Sequence, residues 1–209
     1  MSAFKRIALV NAIVEKLNLK FLGWHYLFLL FFFGTLPFLA GILPIVRFTD
    51  EQIDIRVFAD HVVMLGTYGY QNPFPFPVVQ GLSVPLPIDS EHPTPVQISA
   101  RRLGPEQRPL VTRYLLGHHR FNLFFKANER IQIAVEYRQQ APQKNATYLL
   151  TTTKPWKLPL EKGVYRLMPQ QVVITHSNYA LAPEGNHYIG FERQNFMPQE
   201  NWSFSWEVN

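Results

Sequence analysis

The distribution of apolar and polar positions divides the chain sharply. From Phe21 to Val46 there are 26 residues without Asp, Glu, Lys or Arg, and roughly 20 apolar residues suffice to cross the hydrocarbon core of a bilayer. The pattern predicts a single transmembrane α-helix at 21–46, preceded by an arm at 1–20 and followed by a polar body at 47–209. Within the arm Phe4, Ile7, Val10, Val14 and Leu17 recur every three or four positions, while Lys5, Arg6, Lys16 and Lys20 fall mostly elsewhere around the wheel. That is the signature of an amphipathic helix lying in the headgroup layer or running into the span.

After residue 47 the period shortens to two. Ile53, Ile55 and Val57 alternate with Asp54 and Arg56, which predicts a strand over Phe48–Ala59 continued at His61–Leu65. Short strands are also expected at Gln97–Arg102, Tyr148–Thr153, Val164–Leu167, Val172–Thr175 and Tyr188–Phe191. Phe121–Phe125 and Ile131–Tyr137, separated by a turn, read as an antiparallel hairpin, and Leu110–Gly117 as strand or short helix. Trp202, Phe204, Trp206 and Val208 alternate with polar residues to the C-terminus, the pattern of a final strand with one buried face. Seven of the 17 prolines crowd between 73 and 95, where they forbid a central strand and leave an edge, a crossing loop or an extended ribbon. The expected fold is an N-terminal transmembrane helix followed by an all-β domain, an antiparallel β-sandwich of immunoglobulin-like or jelly-roll type.

Charge settles the orientation. The net charge is +5, of which residues 1–20 carry +3, and positive charge flanking a span is retained on the cytoplasmic side. The N-terminus is thus expected inside, the chain single-pass in the inner (cytoplasmic) membrane, and the β domain periplasmic. Lys16, Lys20, Trp24 and Tyr26 are the expected membrane-interface residues. The apolar run exceeds the 7–15 residues or so of a cleaved signal peptide, and bulky Phe38 precedes the one cut site, after Ala40. An uncleaved signal anchor is expected. No basic stripe interleaved with aromatics marks the body, which argues against nucleic acid as a partner. Cysteine is absent, so disulfides, thiol catalysis and Cys-ligated metal are excluded.

Little in the body points to chemistry. No serine stands on a glycine-flanked elbow and no glycine loop has a phosphate-cradling pattern. His118 and His119 are adjacent, and neighbours on a strand point to opposite faces; only in a turn would they chelate one ion together, with His61 or His176 as a third ligand. No catalytic, cofactor or metal site is assigned. The unusual soluble stretch is Tyr68–Pro77, where aromatics interleave with prolines, and Tyr70, Phe74 and Phe76 are the candidate partner-binding residues, joined in the span by Phe31 and Phe32. The expected role is that of a non-enzymatic accessory or scaffolding subunit of a larger membrane complex, with the lipid bilayer and integral-membrane proteins as partners. The alternative is an envelope module binding a lipid, glycan or exported substrate between the sheets, where the many aromatics would line a groove.

Overall fold

The computed structural model describes residues 44–115, 118–184 and 188–209. The arm, all but the last three residues of the expected span, and the candidate residues Lys16, Lys20, Trp24, Tyr26, Phe31 and Phe32 lie outside the described residues. Among the described residues no helix is long and apolar enough to cross a membrane. The β unit runs from Pro44 to Asn209.

Its foundation is an eight-stranded mixed sheet. β1 (Arg47–Val57) and β2 (His61–Gln71) form an antiparallel pair closed at Phe58, whose N–H donates to the His61 carbonyl (2.9 Å). With β3 (Val78–Val84), β4 (Gln97–Arg102), β5 (Arg108–Pro109), β6 (Arg113–Leu115), β7 (His118–Phe125), β8 (Arg130–Gln140), β9 (Asn145–Tyr148), β10 (Leu160–Pro169), β11 (Val172–Ser177), β12 (Ala182–Glu184), β13 (Tyr188–Phe196) and β14 (Trp202–Val208), the large sheet has the order β12-β13-β10-β1-β2-β8-β4-β5. Two three-stranded sheets, β3-β7-β6 and β11-β14-β9, complete the domain.

Register explains how one face is buried. Tyr70, Tyr68, Gly66, Met64 and Val62 on β2 stand opposite Phe48, Glu51, Ile53, Ile55 and Val57 on β1 and Ile131, Ile133, Val135, Tyr137 and Gln139 on β8. Strict alternation would put Phe48 on the other face from Ile53. The pairing shifts between Phe48 and Asp50, and this bulge at buried Thr49 brings both inward. The outward face carries Gln52, Asp54, Arg56, Glu136 and Arg138 and is polar.

The two small sheets cover the inner face side by side. Towards the Val57 end, Trp202, Phe204 and Trp206 of β14 pack on Ile53, Ile55, Met64, Tyr165 and Leu167. Towards the Phe48 end, Leu82 and Val84 of β3 and Phe121, Leu123 and Phe125 of β7 pack on Tyr70, Ile131, Ile133 and Val135. Half-buried Tyr68, Leu86, Ile98 and Phe196 touch both clusters and mark the seam.

The all-β domain with one face covered is as expected from the alternation, and several details differ from it. The sandwich is not wholly antiparallel: β1 and β10 pair in parallel from Asp50↔Lys162 to Val57↔Pro169, because strand direction is set by a long connection that side-chain period does not encode. β7 and β8 are not a hairpin; they belong to different sheets and turn a corner between the layers, with Phe125 and Ile131 in the same core cluster. Within the proline-rich segment Val78–Val84 is an edge strand between Pro77 and Pro85, one of the placements the prolines allow. The threonine run expected as strand is a 3-10 helix, Leu150–Trp156, in which the Thr152 and Thr153 hydroxyls donate back to the carbonyls of Leu149 and Leu150 (2.7 and 3.0 Å). Such local hydroxyl bonds compete with a strand ladder.

Candidate functional site

The aromatic and proline stretch after β2 becomes a rigid exposed ledge because of one asparagine. Asn72 is fully buried, and its side-chain N–H groups donate to the carbonyls of Phe76 and Lys126 (both 2.8 Å) while its Oδ1 accepts the Phe74 N–H (3.0 Å). Two backbone bonds tie the same loop to the turn between β7 and β8: Asn72 N–H to Glu129 O, and Asn128 N–H to Phe74 O, each 2.9 Å. With the loop pinned, the Phe74 and Phe76 rings stack at 5.1 Å and 16°. Phe74 is half-buried and Phe76 is 54% exposed. Val79 and Phe124, directly opposite one another across β3 and β7, are also exposed. Neither of these two was anticipated, since nothing in an alternating strand says which of its faces is left bare.

Tyr70, expected beside Phe74 and Phe76, is buried. It stacks on Phe48 at 5.1 Å and packs against Trp156 at 5.4 Å. The chain enters the domain close to the ledge: the N–H groups of Ile45 and Val46 donate to Gln80 Oε1 (2.8 and 3.4 Å), one residue beyond Val79.

A second feature lies inside, at the seam. Glu51 occupies an inward position, 4% exposed, where the alternation calls for an apolar residue. Tyr165 donates to one of its carboxylate oxygens (2.8 Å) and Tyr148 to the other, and the Tyr148 and Tyr68 hydroxyls lie 3.1 Å apart. With the carboxylate ionised both phenols donate to it, which leaves Tyr68 to donate to Tyr148. Burial raises the Glu51 pKa to about 7, and the two phenols oppose that rise without cancelling it. The Tyr148 and Tyr68 hydroxyls are pushed up by the same burial and by the Glu51 charge. Two glycines make the cluster possible. A Cβ on Gly66 would meet the Tyr68 ring, and one on Gly163 would stand 2.7 Å from the Tyr165 hydroxyl, so each tyrosine lies back over the glycine two residues before it. The pattern Gly-X-Tyr at 66–68 and 163–165 was the available signal in the sequence. Its meaning depends on Glu51 lying on the strand between them.

The histidines do not converge. His118 and His119 point to opposite sides of β7, His176 is exposed on β11, and among the described residues no group of three His, Cys, Asp or Glu stands close enough to hold a metal ion. Nor is there a groove between the layers at the C-terminal cluster, where Trp202, Phe204, Trp206 and Tyr165 are at most 2% exposed and fill the space. An open polar hollow lined by Arg56, Gln97, Ser99, Glu136 and Arg138 lies on the uncovered face of the large sheet.

No protein-family model matches the sequence, and no curated protein matches it. Among solved structures the chain is similar to a Legionella pneumophila protein described as a candidate nutrient-binding protein, with a TM-score of 0.63, 11% identity, and coverage of 78% of this chain and 67% of that one. A zinc metallopeptidase of the M1 class from Deinococcus radiodurans aligns at a TM-score of 0.43 and 8% identity, with this chain covering 42% of its length. The first likeness shows a shared fold.

Proposed function

We propose that this chain is a non-catalytic accessory subunit of a larger membrane assembly. It is held at the inner membrane by the apolar stretch at 21–46 and carries its β domain on the periplasmic side, close to the bilayer. The span and the β domain are its contact surfaces. One observation carries the proposal: a fully buried asparagine pins the loop on which exposed Phe76 stacks on half-buried Phe74, while the interior of the C-terminal half is packed solid with aromatic rings. Rigid exposed rings suit contact, since ordering costs have been met before binding. A filled interior disfavours the alternative, a module that binds a lipid, glycan or substrate between its sheets. The name of the Legionella pneumophila neighbour favours that alternative, but at 11% identity it speaks for the fold alone.

The test is gentle detergent extraction of the tagged chain from its native membrane, followed by sizing and identification of what travels with it. Stoichiometric membrane subunits are expected in the same peak. Elution as a lone monomer contradicts the proposal, and lipid or glycan retained in that monomer favours the alternative.

A further inference from the structure

We infer that the end of the β domain bearing the ledge rests in the interfacial layer of an anionic lipid bilayer. This deepens the membrane-tethered reading and rests on it. The point at which the chain enters the domain identifies the occupant. The uncharged apolar stretch runs without a break to Val46, and β1 begins at Arg47. Even counted from the first described residue, Pro44, the tether to β1 is three residues, at most about 11 Å when extended, against a headgroup layer of roughly 5–8 Å per leaflet. The domain end that carries Arg47 therefore has no room to stand off from the surface.

The loops gathered at that end have the composition a bilayer interface accepts. β2 leaves there through Phe74 and Phe76; β7 turns there after Phe124, through Lys126; and β10, parallel to β1, starts there after Lys157 and Leu158. Phe76, Phe124 and Leu158 are exposed, as are Lys126 and Lys157. The acidic side chains at this end have partners: Glu161 pairs with Arg47 and Arg130, Glu129 with Arg102 at 2.7 Å and Glu106 with Arg108, and Asp50 accepts from the Thr49 hydroxyl. Apolar rings with lysines beside them match an interface of acyl chains under anionic headgroups. At the opposite end of the sheet, around Val57, the exposed large apolar residues are the aliphatic Ile88, Val96, Val173 and Val208. Among the described residues three large aromatic side chains are prominently exposed, Phe76, Tyr114 and Phe124, and two of the three are at the chain's point of entry.

The absence of cysteine makes the test clean. Phe76→Cys, Phe124→Cys and, as the far-end control, Val173→Cys are each labelled with a nitroxide in the full chain. The chain is reconstituted into phosphatidylcholine–phosphatidylglycerol vesicles, and collision with oxygen and with a water-soluble nickel chelate is measured. The expected result is a severalfold higher oxygen-to-nickel ratio at 76 and 124 than at 173. Equal, water-like ratios at all three positions overturn the inference while leaving the tether intact. Screening of 76 and 124 from both reagents also overturns it, because it reports a protein contact. A chain that fails to float with the vesicles overturns the tether reading itself.

Discussion

Replacing Glu51 by glutamine separates the charge of the buried carboxyl from its shape. In the folded domain the carboxyl has a pKa of about 7, raised from 4.5 by burial. The folded state therefore holds this proton over a range in which the unfolded chain has released it. Stability from this group is present in full below pH 4.5 and is lost as pH rises towards and through 7. Each pKa unit corresponds to about 1.4 kcal/mol, so the wild-type domain is expected to lose about 2 to 3 kcal/mol from this source between pH 5 and pH 8. Glutamine resembles the protonated acid in size and retains a hydrogen-bonding oxygen for the phenols. Glu51→Gln should therefore match the wild type near pH 5 and exceed it at pH 8 by an amount of that order. The assay is denaturant unfolding of the full chain in a neutral detergent at both pH values, followed by the fluorescence of the buried Trp202 and Trp206. Comparing the two proteins at each pH removes the contribution of every other titrating group. A gap that stays constant with pH, or widens towards acid, would refute the reasoning.

Other perturbations probe the same architecture. Asn72→Ala strips the Phe76 and Lys126 carbonyls of their side-chain donor and should cost about 1–3 kcal/mol, with increased amide exchange across 73–77 in hydrogen-exchange mass spectrometry; an unchanged loop would show that the backbone bonds alone hold it. Gly163→Ala places a methyl against the Tyr165 ring and should cost about 1–3 kcal/mol by overpacking, measured by thermal melting. Because Tyr165 lowers the Glu51 pKa by donating to it, the same variant should make the pH dependence steeper. Trp206→Ala, at a 2% exposed site, should cost about 3–5 kcal/mol, and a loss under 1 kcal/mol would mean that the core there collapses around the gap.

Much of the β architecture was legible because burial on one face imposes a period of two. Gln97–Arg102 is a strand with the expected bounds, and the alternation of Trp202, Phe204 and Trp206 is the inward row of β14. What escaped was non-local. Alternation at Phe121–Phe125 and Ile131–Tyr137 is satisfied equally by a hairpin and by two strands facing one core from different layers, and the second is found. The parallel β1–β10 pairing joins residues more than a hundred apart and leaves no local mark. At the ledge, the prolines alternating with phenylalanines singled out 74 and 76, of which Phe76 is exposed and Phe74 half-buried, whereas Tyr70 obeys the strand period and turns inward. Glu51 was hidden because a charged residue in an alternating strand reads as outward-facing. Its position is in phase with Ile53, Ile55 and Val57, and the two tyrosines that donate to it, contributed by other strands, make its inward place tenable.

The central proposal depends on the chain being held in a membrane by its apolar stretch, and alkaline carbonate extraction of native membranes tests that directly. Retention of the full chain in the washed pellet, with the β domain removed by protease added from the periplasmic side, is the predicted result. Release of the chain into the carbonate supernatant would contradict it.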